Sequence, residues 1–169
     1  MAEVAFKGKP VHVGGMFPKV GSVAPPFELV CQDLSVKNLS SFGNQKKVLN
    51  IFVSLDTSVC SQSVHTFHKR LSQEPNLIVL NISMDLPFAA ARFCKAEQLE
   101  NVLTLSAFRN NFAEDYGVKI LDGPLEGLCA RALIVLGSDN KVLYSQLVSE
   151  ITDQPDYQAA VDAVHELQR

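Results

Sequence analysis

The sequence predicts an α/β fold organised round a strand–helix–strand unit, and three observations predict it. Val48 to Leu55 is an apolar run of strand length, Val59 to Leu71 carries apolar residues at helical spacing, and Leu77 to Met84 is a second apolar run. In that order they make a parallel pair of strands joined by a crossover helix. With 169 residues, 47% of them hydrophobic, the chain is long and apolar enough to bury one sizeable core. Residues 1–169 are therefore expected to form a single domain.

The remaining elements follow from local pattern. At the start, Val4 to Lys7 and Pro10 to Val13 flank Gly8-Lys9 and read as a short hairpin. A second short pair, Phe27 to Cys31 and Val36 to Leu39, follows the Pro25-Pro26 break. In the central helix Cys60, Val64, Phe67 and Leu71 recur at i, i+4, i+7 and i+11, and Pro75 stops the chain after Glu74. Cys60 thus lies on or beside the core-facing stripe, in the first turn. Asp85-Leu86-Pro87 marks the next helix start, with Asp85 as its cap and Pro87 in its first turn. Phe88 to about Gln98 is then helical, with Cys94 in the middle. A strand at Val102 to Leu105, a short helix near Asn110 to Tyr116 ended by Gly117, and a strand at Arg131 to Leu136 come next. The Gly137-Ser138-Asp139-Asn140 turn leads into Lys141 to Val148, paired antiparallel with the preceding strand, and a last helix starts near Pro155. A parallel pair joined through a helix, an antiparallel hairpin and a terminal helix outline a thioredoxin-like fold with an N-terminal β-hairpin extension.

Charge and cysteine usage narrow the function classes. A formal charge of −3 gives no basic face for nucleic acid or an anionic membrane. Met1 to Pro10 lacks an apolar h-region, and no apolar run approaches the roughly 18 residues of a membrane span, so the cytoplasm is the expected location. Four cysteines are too few for a disulfide scaffold, and a reducing cytosol keeps structural bridges open. A disulfide here is expected to be transient and chemical.

The segment Asp56-Thr57-Ser58-Val59-Cys60 places a thiol just after a strand and inside the first turn of a helix, where unpaired N–H groups and the helix dipole favour negative charge. An ordinary free thiol, with a pKa of about 8.5, is only a few per cent ionised at neutral pH. The helix start supplies about 1 kcal/mol toward the anion, so a cation has to supply much of the rest. Arg131, opening an apolar strand where an arginine is otherwise expensive, is the candidate. Thr57 adds a hydroxyl that can accept an N–H bond and point toward a bound oxygen.

Together with Asp85-Leu86-Pro87-Phe88 leading to Arg92-Phe93-Cys94, and Gly123-Pro124-Leu125 through Ala130-Arg131, these residues resemble bacterial thiol peroxidase, the atypical two-cysteine branch of the peroxiredoxins. The likeness runs nearly end to end and includes Leu105-Ser106-Ala107-Phe108-Arg109 and Pro155-Asp156-Tyr157. The resemblance implies a thioredoxin fold, a homodimer, reduction of hydrogen peroxide and alkyl hydroperoxides without metal or organic cofactor, and thioredoxin as reductant. It also implies Cys60 as peroxidatic cysteine, Cys94 as resolving cysteine, and Thr57 and Arg131 as active-site partners. One position departs: the family pattern has proline four residues before the threonine, and this chain has Val53. Valine restores an N–H donor and widens backbone choice, so altered or reduced peroxide reactivity is expected.

On this reading Cys60 attacks the peroxide and becomes a sulfenic acid, and Cys94, 34 positions later on another helix, closes an intrachain disulfide onto it. Cα atoms have to come within about 7 Å for that bond, so one or both helix starts unwind. A thioredoxin-type oxidoreductase is disfavoured because Ser61-Gln62-Ser63 follows Cys60 where C-x-x-C is needed. Cys60, His65 and His68 spread around a helix instead of converging on a metal. The alternative from another class is a redox relay or sensor that passes its disulfide to a partner and consumes little more than one equivalent of peroxide unaided. Cys31 and Cys129 read as packed thiols, with Cys129 two residues from Arg131 and so open to a part in the site.

Overall fold

In the computed structural model, which describes residues 2–166, the central run folds as expected into strand, helix and strand. In chain order the elements are β1 (Ala2–Phe6), β2 (Lys9–Gly14), β3 (Leu29–Cys31), β4 (Val36–Lys37), a 3-10 helix (Leu39–Phe42), β5 (Lys46–Ile51), α1 (Ser58–Leu71), β6 (Leu77–Ser83) and α2 (Pro87–Ala96). They continue with β7 (Thr104–Ser106), α3 (Phe112–Asp115), β8 (Lys119–Ile120), β9 (Ala132–Leu136), β10 (Val142–Leu147) and α4 (Tyr157–Glu166). Among the described residues the strands form a seven-stranded sheet in the order β10-β9-β5-β6-β7-β3-β4 and a three-stranded sheet β1-β2-β8. β5 and β6 run parallel from Lys46↔Leu77 to Ile51↔Ile82, and β9 and β10 form the antiparallel hairpin. This is the thioredoxin-like α/β arrangement.

Strand alternation divides the core. Leu49 and Ile51 of β5 and Ala132, Ile134 and Leu136 of β9 pack on one face with Phe112 and Tyr116 from the α3 region. Val48, Leu133 and Val135 point to the other face, against Phe67 and Leu71 of α1 and Val161 and Val164 of α4. Both faces are covered, which is why these strands read as continuous apolar runs. Burying Val64, Phe67 and Leu71 contributes about 1.5–3 kcal/mol per side chain and fixes how α1 lies on the sheet. A third cluster unites Val4, Val11, Val13 and Ile120 of the small sheet with Phe52, Val53, Cys60, Val64, Ala90, Phe93 and Cys94. The N-terminal sheet therefore closes over the region holding two of the cysteines.

Several boundaries differ from the sequence reading. The first hairpin turns at Lys7-Gly8, with φ 52 and 79, so Phe6 pairs with Lys9 in a two-residue loop of the type that needs positive φ at both positions. The N-terminal extension is three-stranded, because the two-residue β8, too short to show a period, adds to β2. β5 stops at Ile51; Phe52, Val53 and Leu55 stay apolar because they are buried under the small sheet, outside the main one. Leu39 begins a 3-10 helix capped by Asn38 and is not the end of a strand. β7 starts at Thr104, two residues later than expected, although the Leu103 carbonyl already accepts from the Asn81 backbone and side-chain N–H groups. Gly117, which ends the α3 segment at φ 65, is required there: a Cβ would stand 2.3 Å from the Phe17 nitrogen. Asp85 does not cap α2; Leu86 holds the cap position with no side-chain bond, and the Asp85 carboxylate accepts instead from Ser54 and Leu55. Cys94 falls in the last turn of α2, which ends at Ala96, and not in its middle.

One surface contact of the small sheet is pH-sensitive. The Asp122 carboxylate accepts from the His12 N–H at 2.9 Å and lies 2.6 Å from its ring Nδ1, and the hydrogen bond and charge of Asp122 raise the imidazole above its ordinary 6.5. A raised folded-state value means the stabilisation is fully present below the unfolded value and disappears as pH rises through the folded one. The difference in melting temperature between wild type and His12→Gln is thus expected to be positive near about pH 5.5 and to shrink by about pH 8.5, as read by calorimetry.

Candidate active site

Cys60 is the third residue of α1, and Thr57, extended at φ −106 and ψ 144, is the residue at the helix cap. The sulfur therefore sits among the N–H groups of a helix start, at the positive end of its dipole. The residue is 0% exposed. Arg131 stands just before β9, 2% exposed, donating from Nη2 to the Cys60 Sγ at 3.1 Å and from Nε to the Ile151 carbonyl at 2.9 Å. The Ile151 bond fixes the plane of the guanidinium, so the donor facing the sulfur is held in place and not merely nearby. Nη1 is buried without a hydrogen-bond partner among the described residues, leaving one donor of the guanidinium unsatisfied. The buried guanidinium meets the Cys60 sulfur and a carbonyl, with no carboxylate in an ion pair to it among the described residues, so its positive charge lies directly against the sulfur.

Thr57 lies exposed at the same helix start, but its hydroxyl donates to the Ser54 carbonyl at 2.9 Å and makes no cap bond. The expected N–H acceptance is absent; the hydroxyl instead fastens the turn leading into α1. Val53 is buried in the cluster around Cys60, and its N–H makes no hydrogen bond among the described residues.

Cys94 shares the apolar cluster with Cys60 and is 7% exposed, and both are free thiols. Its surroundings have the opposite character. It sits in the final turn of α2, where the dipole disfavours an anion. Burial raises its pKa above the usual range, offset in part by the Gln32 Nε2 donor at 3.4 Å. That same amide donates to the Thr104 hydroxyl at 2.7 Å, which anchors it. The fold thus distinguishes two thiols, one at a helix start against a guanidinium and one at a helix end where burial raises the thiol.

Cys129 lies outside that cluster, in the core on the opposite face, and burial pushes its thiol up to about 12. It is an inert packed thiol, and Cys31 is half-buried against the same core. Sequence reading missed two neighbours. Gln32 follows a strand end in a polar turn, with no pattern that marks it. Tyr157 at the start of α4 has a phenol raised by burial and lowered by the Arg131 guanidinium, with the Cys60 charge raising it again, which puts it in the electrostatic reach of the pair.

The chain matches the Redoxin family over residues 19–161. It is 48% identical to the thiol peroxidase of Mycobacterium tuberculosis (strain ATCC 25618 / H37Rv) over 164 residues, covering 97% of this chain and 99% of that protein. The crystal structure of a peroxiredoxin-like protein from Aquifex aeolicus superimposes with a TM-score of 0.93 at 39% identity, covering 99% of this chain and 98% of that one. A thiol peroxidase from Chromobacterium violaceum superimposes with a TM-score of 0.92 at 27% identity, covering 100% and 99%. The family match over residues 19–161 and the 48% identity over nearly the whole of both chains place the chain in the Redoxin family, within its thiol peroxidase group.

Proposed function

We propose that the chain is a thiol peroxidase that reduces hydrogen peroxide and alkyl hydroperoxides through Cys60, with Cys94 as resolving thiol. The Cys60 thiolate attacks the terminal peroxide oxygen and the O–O bond breaks. Cys60 becomes a sulfenic acid and the leaving oxygen departs as alkoxide or hydroxide, which takes a proton to give alcohol or water. Arg131 accompanies the negative charge from sulfur to oxygen, with Thr57 at the same helix start. The Cys94 thiol then condenses with the sulfenic acid, forming a disulfide and releasing water. A dithiol protein of the thioredoxin class reopens it by exchange, ending with its own disulfide.

The observation that carries this reading is the Arg131 Nη2 contact to Cys60 Sγ at 3.1 Å, beside a buried Nη1 with no partner among the described residues. Residues 1–169 work as one domain in this reading, in the cytoplasm, and as a homodimer. Supporting the dimer, Leu86, Phe88 and Phe108 lie exposed around the start of α2 and the end of β7, with Phe88 at 67% and Phe108 at 40%. No helix among the described residues is long and apolar enough to cross a membrane.

One equivalent of hydrogen peroxide followed by mass spectrometry tests the scheme. A Cys60–Cys94 linked peptide is the expected product; a Cys60 sulfinic acid with Cys94 still free rejects the resolving role. Val53→Pro supplies a second check. Since the Val53 N–H makes no hydrogen bond among the described residues, proline there gives up none, and peroxide consumption is expected to rise severalfold. A slower variant overturns the idea that valine handicaps the site.

A further inference from the structure

The segment that carries Cys60 and the helix that carries Cys94 are joined at the surface by the Arg92–Asp56 ion pair at 3.6 Å and, further in, by the Asp85 carboxylate. Asp85 Oδ1 accepts from the Ser54 hydroxyl at 2.7 Å, and Oδ2 accepts from the Leu55 N–H at 2.8 Å and the Ser83 hydroxyl at 2.7 Å. Its backbone carbonyl accepts from the Ser106 hydroxyl at 2.5 Å, which fixes Asp85 to β7. Ser54 passes the constraint on: its hydroxyl accepts from the Asp56 N–H at 3.1 Å, and its carbonyl accepts from the Thr57 hydroxyl at 2.9 Å and the Thr57 N–H at 3.2 Å. The next residue after Asp85, Leu86, is the cap position of α2. No cation forms an ion pair with Asp85 among the described residues, so its charge is held by these neutral donors alone.

We propose that Asp85 is a positioning residue, a latch that holds residues 54–57 and the Cys60 helix start in the peroxide-attacking arrangement and sets how readily that segment lets go for disulfide closure. The proposal rests on the peroxidase reading above. Its physical content is the following. Cys60 and Cys94 are both buried free thiols on different helices, and joining them requires their backbones to come within about 7 Å. The hydrogen bonds that hold residues 54–57 to the rest of the fold end on Asp85, so they break when the segment moves. A tight latch prolongs the life of the buried sulfenic acid. During that life a second hydroperoxide oxidises it: the sulfenic acid takes one oxygen to become a sulfinic acid, and the hydroperoxide is reduced to alcohol or water. Asp85 therefore sets the ratio of sulfinic acid to disulfide without touching either reactant.

Amide hydrogen exchange of the reduced protein tests the latch without any peroxide chemistry. In Asp85→Ala, exchange across residues 54–60 is expected to quicken by about tenfold or more, while β9 exchanges as in wild type. Asp85→Asn, whose amide oxygen still accepts the Leu55 N–H, is expected to recover part of the protection. With excess hydrogen peroxide, Asp85→Ala is expected to give about a tenfold lower ratio of Cys60 sulfinic acid to Cys60–Cys94 disulfide. Ser54→Ala, which removes a single bond of the latch, is expected to shift both readouts in the same direction by less, and carries the test if Asp85→Ala does not fold. Unchanged exchange at residues 54–60, or an unchanged ratio with quickened exchange, overturns the proposal. Failure of wild type to form the Cys60–Cys94 link overturns the resolving role of Cys94 instead, and the exchange result still decides the latch.

Discussion

Cys60→Ser is expected to lower hydroperoxide consumption by more than about 10³-fold while leaving the protein folded. A hydroxyl fits the space of the sulfur, so the cluster around Val64, Phe93 and Val53 stays filled and the fold is retained. What disappears is the nucleophile. The Arg131 guanidinium beside it cannot take the proton of a serine hydroxyl, and an alcohol is far less nucleophilic toward the peroxide bond than a thiolate. The assay is steady-state peroxide loss with a dithiol reductant, run beside Cys31→Ser and Cys129→Ser. Both controls are expected to keep full activity, since Cys31 packs half-buried and Cys129 lies in the opposite core with its thiol pushed to about 12. Undiminished turnover by Cys60→Ser ends the peroxidase assignment to this sulfur.

Arg131→Met is expected to cost about 10²–10³-fold in kcat/KM for peroxide, the usual loss when one preorganised charged donor leaves a developing anion. Stability falls by far less than activity. Methionine fills the space of a guanidinium that is 2% exposed, and the cost is that of the buried Ile151 carbonyl and Cys60 sulfur losing their donor. An activity loss far beyond what a small drop in melting temperature explains is the signature of a residue that acts on the reacting atoms. Arg131→Lys is expected to recover only part, because a single ammonium does not reproduce a fork that meets the Ile151 carbonyl and the Cys60 sulfur together. An Arg131→Met enzyme within about twofold of wild type rejects charge stabilisation by this residue.

The βαβ unit was legible because its segments carry strong periods: Val48 to Ile51 and Leu80 to Ile82 are buried on both faces, and Cys60, Val64, Phe67 and Leu71 fall on one helix face. Cys60 at a helix start follows from those same periods. What the pattern blurred were places where apolarity serves a different burial. Phe52, Val53 and Leu55 extend the strand pattern of β5 although the chain has already left the sheet to pack under β1 and β2. Asp85 has the sequence of a cap, yet its carboxylate finds better donors in Ser54, Leu55 and Ser83 than the first turn of α2 offers.

By itself, the order of residues determined the α/β class, the helix that presents Cys60 and the identity of the arginine worth testing, because helix spacing and strand spacing are local and survive without any partner. Only the tertiary structure decided that Arg131 reaches Cys60 across 71 positions, that Gln32 faces Cys94 across 62, and that Asp85 joins the two cysteine-bearing segments. A buried charge or amide is specified by whichever distant donor or acceptor the packed sheet brings within about 3 Å, and that distance has no trace in local sequence.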